Sequence, residues 1–298
     1  MVICVGEILA DMVGSKKDNE LIFTPKAGGA PFNVACCLRK LGAETVFVGS
    51  VGDDAIGRFL SEQAKKRDFD DLLIDVSDDK NTTLAFVSLD DKGERDFSFY
   101  RKNTADAYLP RISDELIAKS TIVHIGSLML SFDIGQDYAL ELIDRVHKAG
   151  KKVSFDVNYR ADIFESVENA VSIYKRIIEN VDIIKMSSDE YDIFGEEFVK
   201  SLRADLICVT LGSKGSKAFY DGNEISVGSI SIEPVDTTGA GDAFWGCALR
   251  FVDLAIRKKR KLSVETVLKY ANICGALNTT GVGAIDYLPD MTKIEEFL

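Results

Sequence analysis

Small residues and a carboxylate occur together in the segment Asp236–Cys247, in an order that could support chemistry. The segment reads DTTGAGDAFWGC and lies between an extended stretch and an amphipathic helix. Gly239, Ala240 and Gly241 let a ligand approach the backbone, and N–H groups at a helix start have no partners within the helix, so they can bind an anion. Asp242 follows in the first turn, where its carboxylate could take a proton from an attacking hydroxyl while the N–H groups stabilise a phosphoryl group in transfer. The alternative for this segment alone is a glycine-rich turn in which Asp242 only partners the helix dipole.

A second segment of small residues, Ala27–Ala35, opens another helix and reads AGGAPFNVA. Gly28 and Gly29 carry no side chains, so a ligand can lie against the backbone. Asn33, one turn later, offers both a donor and an acceptor for vicinal hydroxyls. Asp11 follows the first strand and could accept from two adjacent hydroxyls; its alternative is a solvated loop aspartate. Such paired polar contacts are what a sugar requires.

The elements that must position these residues alternate along the chain. Short apolar runs bounded by Gly, Asp or Asn alternate with stretches of helical period, which predicts a doubly wound α/β sheet whose strand ends bind ligands. The predicted strands are 2–5, 45–51, 121–126, 152–157, 181–186, 205–211 and 217–221. The predicted helices are Asn33–Leu41, Ile56–Arg67, Asp133–Ala149, Ser166–Asn180, Asp189–Lys200, Ala243–Leu254 and Val264–Asn278.

Two stretches break the alternation. Residues 82–101 alternate with period two around the sequence DDKG at 90–93, which is typical of a β-hairpin. Residues 12–26 are also strand-like. Together they predict a small β flap beside the main sheet of a single domain spanning 1–298. An edge extension of the main sheet is the alternative.

Composition excludes several classes of protein. The chain has 298 residues and a formal net charge of −12, so its field repels nucleic acids and anionic membranes, and we expect neither as a partner. Its six cysteines show no C-x-x-C pairing, which predicts reduced thiols in a cytoplasmic protein. No apolar run is long enough to span a membrane. The P-loop, G-x-S-x-G and H-E-x-x-H patterns do not occur.

The segments Gly28–Ala35 and Asp236–Cys247 resemble the two signature segments of the ribokinase-like (PfkB) carbohydrate kinases, in the right order and at opposite ends of the chain. The resemblance implies a three-layer αβα sandwich with a mainly parallel sheet and a small β lid over the sugar. It also implies ATP as phosphoryl donor and Mg²⁺. By the same resemblance Asp242 is the catalytic base and Gly239–Gly241 form the anion hole.

Other site residues follow from the resemblance alone. The sequence TLGSKG is similar to the family's nucleotide-contacting turn and supplies Thr210, Gly212 and Gly215, while Asn272 lies where the last helices flank the adenine. The sequence KMSSDE, from Lys185 to Glu190, is similar to the N-x-x-E element and adds Lys185 and Ser187 to the nucleotide site. Ser187 replaces the asparagine whose side chain would contact phosphate, and Glu190 is expected to act on Mg²⁺ through water. The resemblance also implies a monovalent cation, K⁺, at Asp236, Thr238, Asn278, Gly281, Gly283 and Tyr287.

The sequences HIGS at 124–127, FYR at 99–101 and DVNYR at 156–160 look most like the fructokinases of this family. This implies phosphorylation of the primary hydroxyl of D-fructose to give fructose 6-phosphate. Arg101 would reach the sugar from the lid, and Asn158 and Arg160 would contact it. Alternatives are a ribokinase, or a 2-keto-3-deoxygluconate kinase in which the two arginines bind the carboxylate. From another class, the Ser187 exchange motivates a non-catalytic sugar or nucleotide sensor. Lids in this family often pair between subunits, which implies a homodimer.

Overall fold

Two β-sheets and the helices packed on them are formed by the residues that the computed structural model describes, which are 1–17, 20–89, 95–160 and 163–298. Within these ranges the strands are β1 Val2–Val5, β2 Leu9–Lys17, β3 Glu20–Gly28, β4 Thr45–Gly52, β5 Asp71–Ser77, β6 Leu84–Leu89, β7 Arg95–Tyr100, β8 Ile122–Ile125, β9 Lys152–Asp156, β10 Ile183–Ser187, β11 Leu206–Thr210, β12 Ser216–Tyr220 and β13 Asn223–Val227. The α-helices there are α1 Ala30–Lys40, α2 Ala55–Lys65, α3 Asp114–Lys119, α4 Asp133–Lys148, α5 Val167–Ile178, α6 Ser188–Phe194, α7 Glu196–Ser201, α8 Ala240–Arg257, α9 Val264–Asn278 and α10 Met291–Glu295.

The larger sheet has the strand order β13-β12-β11-β10-β9-β8-β1-β4-β5. The strands from β11 to β5 in this order are parallel, and β12 and β13 continue the sheet in antiparallel pairs. One apolar core lies between the sheet and α1, α2, α8 and α9, and a second lies under α4, α5 and α6 on the other face. Because both faces are covered, the central strands are continuous apolar runs. The predicted α/β class with three layers is confirmed.

The contact between α1 and α8 brings the two glycine-containing segments together. Phe32 in α1 and Trp245 in α8 are fully buried. A Cβ added at Gly246 would lie 2.6 Å from Cβ of Cys37, so glycine lets α8 approach α1 closely. Pro31 fits the first turn of α1, where its missing N–H would have had no partner within the helix. Both helices therefore begin at the same edge of the large sheet.

The strand predictions hold for the interior of the sheet and fail at its two ends. All seven predicted strands are present, as β1, β4, β8, β9, β10, β11 and β12. β5 and β13 were not predicted, and they are the two edge strands. Their sequences, DLLIDVS and NEISV, mix polar and apolar residues and form no continuous apolar run. An edge strand has a solvent-exposed side, so its sequence carries a weaker signal.

The helix predictions differ mainly where glycine sets the backbone. The predicted helix Asp189–Lys200 is wrong as a single element, because Gly195 with φ of +83° separates α6 from α7. α1 and α8 begin at Ala30 and Ala240, earlier than the predicted Asn33 and Ala243. In both cases the glycine just before the helix has a positive φ, which allows the chain to enter the helix at once.

The smaller sheet has the strand order β3-β2-β6-β7. β2 pairs antiparallel with β3 and parallel with β6, and β6 pairs antiparallel with β7. The segments 12–26 and 82–101 thus contribute strands to one sheet although they are far apart in sequence. The predicted turn at 90–93 lies outside the described residues.

Two expectations from composition concern the helices and the thiols. Across the described ranges, no helix combines the length and the apolar character needed to cross a membrane. All six cysteines are free and buried. Sγ of Cys37 lies 3.8 Å from Sγ of Cys274 between α1 and α9. The thiols pack there as small apolar side chains.

Candidate active site

The loop that precedes α8 is fixed by the carboxylate of Asp236. This side chain is buried, and its two oxygens accept hydrogen bonds from N–H of Thr238 and N–H of Gly283, both at 2.8 Å. Gly239 follows with φ of +74°, a left-handed conformation that glycine adopts without strain. A Cβ at this position would lie 2.5 Å from the carbonyl oxygen of Ala284. The N-terminus of α8 is therefore held in one place by side-chain and backbone contacts.

Asp242, in the first turn of α8, is held by Asn33 of α1. Nδ2 of Asn33 donates to Oδ2 of Asp242 at 2.8 Å. Oδ1 of Asn33 is buried and has no hydrogen-bond partner among the described residues. Burial raises the pKa of the Asp242 carboxyl above its usual range, although Lys185 and the Asn33 hydrogen bond act to lower it. The carboxylate consequently binds a proton more readily than an exposed aspartate does, as a general base requires.

An ammonium group lies beside the start of α8. Nζ of Lys185, a buried residue of β10, donates to Oδ2 of Asp156 at 2.8 Å. A Cβ added at Gly241 would lie 3.0 Å from this Nζ. Burial opposes the charge of Lys185, but Asp156, Glu190 and Asp242 together raise its pKa above the ordinary value. A full positive charge thus adds to the N–H groups at this helix N-terminus.

A cavity of about 80 Å³ lies on one side of the α8 N-terminus. It collects most of the residues predicted to bind sugar, which are Asp11, Gly29, Asn33, Asn158 and Arg160. Thr238, Gly239 and Asp242 line the same cavity. Burial raises the pKa of Asp242 here, and Arg160 is one of the groups that act to lower it.

A second cavity, of about 290 Å³, lies on the other side of the same helix end. It collects the residues predicted to contact the nucleotide turn and adenine, which are Thr210, Gly212, Gly215 and Asn272. Ala240 and Gly241 also line it. Nδ2 of Asn272 donates to the carbonyls of Val227 and Gly228, at 3.0 and 3.3 Å, so this side chain fixes the wall behind β13. The four residues from Gly239 to Asp242 thus separate two cavities.

Gly28 is not among the residues that line the smaller cavity, but it leaves space for the side chain of Asp11, which does line it. A Cβ at Gly28 would collide with Oδ2 of Asp11. Gly29 has φ of +111°, and a Cβ there would collide with the carbonyl oxygen of Glu7. The pair of glycines therefore makes room for protein atoms as well as for a ligand.

Arg101 is not among the residues that line the smaller cavity. Its Nε donates to Oδ2 of Asp106 at 2.6 Å, and its Nη1 donates to Oγ of Ser131 at 2.5 Å. Its guanidinium also lies over the ring of Phe132. Arg101 lines a neighbouring cavity of about 890 Å³. Its Nη2 is buried and has no hydrogen-bond partner among the described residues, and the Arg101 charge acts to lower the pKa of Glu7, which lines the smaller cavity.

Ser187 and Glu190 bind each other and the backbone. Oγ of Ser187 accepts from N–H of Glu190 at 3.2 Å and caps α6. The carboxylate of Glu190 accepts from N–H of Ser187 and N–H of Tyr159, each at 2.6 Å. These bonds hold the segment after β9, where Asn158 has φ of +37°. Lys185, Ser187 and Glu190 are not among the residues that line either cavity.

The residues predicted to surround a monovalent cation lie near one another. Nδ2 of Asn278 donates to the carbonyls of Thr238 and Ala284, at 3.3 and 2.9 Å. Oδ1 of Asn278 is buried and has no hydrogen-bond partner among the described residues. The ring of Tyr287 covers Gly281, where any Cβ would collide with it, and Tyr287 remains half exposed. The loops around 236–239 and 281–287 are thus joined by side-chain amides and carboxylates.

Two acidic residues of this region were missed in the sequence. Asp156, which is the partner of Lys185, has its pKa raised to about 7 by burial and by Glu190 and Asp242, against the effect of Lys185. Glu7 lines the smaller cavity and is buried. Both lie at the carboxyl end of a buried parallel strand, which is the signal that could have found them.

Replacing Gly239 by alanine is expected to destabilise the protein and to slow its reaction. The new Cβ would meet the Ala284 carbonyl oxygen at 2.5 Å and would occupy a left-handed conformation, so the loop must shift. We expect a loss of about 1–3 kcal/mol in the free energy of unfolding. A displacement of about 1 Å at the α8 N-terminus would lower kcat by about 100-fold. Urea unfolding and steady-state kinetics measure the two effects.

Gly222→Ala is the matched control. Gly222 also has φ of +74°, but a Cβ there meets nothing within 4 Å. This variant carries the conformational strain without the collision and lies in the turn between β12 and β13. Equal destabilisation and equal, near-normal turnover of the two variants would contradict a fixed position of the α8 N-terminus.

Known proteins are similar to this chain over its whole length. A family model described as pfkB family carbohydrate kinase matches residues 1–291. Probable fructokinase-2 of Arabidopsis thaliana is 35% identical, over 100% of this chain and 95% of that protein. The structure of a fructokinase with bound ATP from Xylella fastidiosa has a TM-score of 0.90 and 28% identity, covering 99% of this chain and 97% of that one. A fructokinase from Vibrio cholerae O395, in a fructose, ADP and calcium ion bound form, has a TM-score of 0.86 and 27% identity, covering 100% of this chain and 98% of that one.

Proposed function

The chain belongs to the pfkB family of carbohydrate kinases, and on that premise we propose that it transfers the γ-phosphoryl group of ATP to the primary hydroxyl of D-fructose, giving fructose 6-phosphate. Membership confirms the predicted family and the predicted enzyme class, a sugar phosphotransferase. The observation that carries the proposal is the short segment Gly239–Asp242, which lines both cavities and holds a carboxylate. A phosphoryl group can pass between two bound substrates only where their sites meet.

Asp242 acts as the general base. Its carboxylate takes the proton of the sugar hydroxyl as that oxygen attacks phosphorus. Nδ2 of Asn33 holds Oδ2 at 2.8 Å, and in this proposal Oδ1 takes the proton. The unpartnered Oδ1 of Asn33 supplies an acceptor for a sugar hydroxyl, and Asp11 lies in the same cavity.

The N–H groups of Gly239–Gly241 and the ammonium of Lys185 stabilise the negative charge of the phosphoryl group in transfer. Lys185 supports this role by its position beside Gly241 and by its buried partner Asp156. Thr210, Gly212 and Gly215 contact the nucleotide, and Asn272 shapes the wall against the base. Ser187 supports α6 and does not bind phosphate in this proposal.

The charges around the smaller cavity favour a neutral sugar. Its described lining contains one cation, Arg160, and the acidic residues Asp11 and Asp242, while burial raises the pKa of the third acidic residue, Glu7, to about 8. A keto acid would bring a further negative charge among these carboxyl groups. Arg101 pairs with Asp106 and is not among the residues that line this cavity. This balance supports fructose over 2-keto-3-deoxygluconate.

Magnesium neutralises charge on the phosphates of ATP when it is bound. Glu190 would reach a water of the hydrated ion, because each of its carboxylate oxygens accepts one backbone hydrogen bond and retains a lone pair. A potassium ion would bind among Asp236, Thr238, Asn278, Gly281, Gly283 and Tyr287. The buried, unpartnered Oδ1 of Asn278 supports that site.

The chain forms one kinase domain in this proposal, and the smaller sheet is its lid. Phe99, next to the end of β7, lines the smaller cavity, which supports a cover over the sugar. Leu21, Ile22 and Tyr100 expose large apolar side chains on this sheet, which supports pairing of two lids in a homodimer.

A net charge of −12 supports the absence of nucleic acid and membrane partners, and six free thiols support the cytoplasm as the compartment.

A panel of acceptors tests the proposed substrate. Fructose, ribose, tagatose, 2-keto-3-deoxygluconate and adenosine are each supplied with ATP and magnesium, and ADP release is coupled to an optical signal. We expect kcat/KM for fructose to exceed every other value by about tenfold or more, because a site built for particular hydroxyls discriminates strongly.

The other outcomes each point to a named alternative. A higher kcat/KM for 2-keto-3-deoxygluconate or ribose would identify that sugar as the substrate. Saturable fructose binding without ADP release, measured by calorimetry, would favour a sensor over an enzyme.

A further inference from the structure

Asp106 is a buried acidic residue that joins the smaller sheet to the rest of the chain. It is 1% exposed and is not among the residues that line either cavity. It lies in a single turn of 3₁₀ helix, Ala105–Ala107, which follows β7. N–H of Ala105 donates to the carbonyl of Asn81 at 2.9 Å, so this turn is fixed to the segment that precedes β6. Apart from its pair with Arg101, Asp106 has no part in the proposed mechanism.

The two carboxylate oxygens of Asp106 hold the two strands β6 and β7. Oδ1 accepts from Oγ1 of Thr83, the residue just before β6, at 2.5 Å. Oδ2 accepts from Nε of Arg101, the residue just after β7, at 2.6 Å. The neighbouring residues Leu84 and Tyr100 are cross-strand partners. The two bonds therefore lie at the base of this strand pair, one on each strand.

These bonds are suited to fixing a position. Burying a charged pair costs solvation energy, and apolar side chains of similar volume often stabilise such a contact as well. Hydrogen bonds to a fixed carboxylate are directional, so they allow few arrangements of their donors. Oγ1 of Thr104 donates a further bond to Oδ1 of Asp106 at 2.7 Å, which holds the carboxylate itself in place. The donors on Thr83 and Arg101 are thus tied to one buried point.

The strands held in this way carry part of the wall of the smaller cavity. Phe99, two residues before Arg101, lines that cavity. It packs in one apolar cluster with Leu9 and Leu128, which also line the cavity. Nη1 of Arg101 donates to Oγ of Ser131, which shares a turn of 3₁₀ helix with Leu128. A shift at the base of β7 would therefore move the apolar wall of the cavity.

We infer that Asp106 is a positioning residue that sets the place of β6 and β7, and with it the apolar wall over the sugar; this rests on the sugar kinase activity and the lid proposed above. The C–H groups of a sugar pack on such a wall while polar residues of the same cavity bind its hydroxyls. A lid displaced by about 1 Å would weaken these contacts and admit water. Asp106 thus acts on sugar affinity without touching the sugar.

Thr83→Val and Thr83→Ser test this role and leave the pair of Asp106 and Arg101 in place. Valine has the shape of threonine without its hydroxyl, whereas serine keeps the donor. We expect KM for fructose to rise about tenfold in Thr83→Val, because a hydrogen bond to a charged group is lost, and to stay within about threefold of wild type in Thr83→Ser. Asp106→Asn, which cannot accept from Thr83 and Arg101 with separate oxygens, should show a larger rise. KM for ATP should be unchanged in all three variants.

Thr45→Val is the matched control. Thr45 is also fully buried, and its Oγ1 donates to the carbonyl of Ala43 at 3.1 Å. It begins β4 of the large sheet, at the edge opposite to the strand ends that face the cavities. We expect this variant to lose stability in urea unfolding, as Thr83→Val does, and to keep the wild-type KM for fructose.

Hydrogen exchange of backbone N–H groups, followed by mass spectrometry, tests the hold on the lid strands without any substrate. Exchange should be about tenfold faster in β6 and β7 of Thr83→Val and Asp106→Asn than in the wild type, and unchanged in β4 and β8.

Three results would each overturn the inference. Exchange that rises equally in all these strands, or a KM for fructose that rises as much in Thr45→Val as in Thr83→Val, would give Asp106 a general role in folding. A normal KM for fructose in Thr83→Val beside a raised one in Asp106→Asn would assign sugar affinity to Arg101 itself. If the wild type releases no ADP with fructose, the proposed function fails, and hydrogen exchange still decides the role of Asp106.

Discussion

Replacing Asp242 by asparagine is expected to lower kcat for fructose phosphorylation by about 10²–10⁴-fold while the dissociation constant for fructose changes little. The variant loses the group that takes the hydroxyl proton but keeps an oxygen that can accept from Nδ2 of Asn33. Coupled ADP release gives kcat, and calorimetry with fructose gives the dissociation constant.

The stability of this variant provides a further readout. Burial raises the pKa of folded Asp242, so its ionisation costs stability, and this cost appears as pH rises through the folded pKa. Asparagine does not ionise and avoids the cost. Near neutral pH the variant should therefore unfold at a denaturant concentration no lower than the wild type.

Asp253→Asn is the matched control on the same helix. Asp253 is also an aspartate of α8 and is buried, but it lies near the other end of the helix and contacts the Met1 amino group and Thr121. We expect this variant to lose stability and to keep kcat. Near-normal turnover of Asp242→Asn would remove the base from the proposed mechanism.

Replacing Lys185 by methionine is expected to lower kcat by about 10²–10³-fold, the effect of losing one group that stabilises transition-state charge. The ammonium lies beside Gly241, where the phosphoryl group would gain negative charge. Methionine is unbranched, is one atom shorter than lysine and carries no charge. The single variant also breaks the buried pair with Asp156, which costs about 3–5 kcal/mol of stability.

A double variant separates catalysis from folding. Lys185→Met combined with Asp156→Asn removes both charges of the buried pair, so we expect most of the stability to return while kcat remains low. Urea unfolding and single-turnover phosphoryl transfer measure the two quantities. Recovery of turnover together with stability would mean that Lys185 only supports the fold.

The glycine-containing parts of the site could be predicted because local chemistry decides them. A helix start that must bind an anion needs small residues and a positive φ before it, and Gly239 leaves that pattern in the sequence. The hydrogen bond between Asn33 and Asp242 could not be predicted, since 209 residues separate the two side chains and only the packing of α1 on α8 joins them. The same holds for Lys185 and Asp156, which meet across neighbouring strands.

The roles of residues outside the glycine-containing segments were harder to predict from the sequence. Ser187 matched a nucleotide-binding pattern, yet the structure uses its hydroxyl to cap α6. Arg101 was expected to reach the sugar; Asp106 and Ser131 hold two of its nitrogens, and its buried Nη2 has no partner among the described residues. The buried strands followed from their apolar runs, whereas the edge strands β5 and β13 lacked that signal.

The shared wall at the start of α8 has a thermodynamic consequence. Since Gly239–Asp242 border both cavities, either guest alters the field and the mobility that the other one meets. Linkage then requires reciprocity: whatever factor the nucleotide applies to sugar affinity, the sugar applies to nucleotide affinity. The short segment at the start of α8 thus couples sugar binding to nucleotide binding without any separate regulatory site.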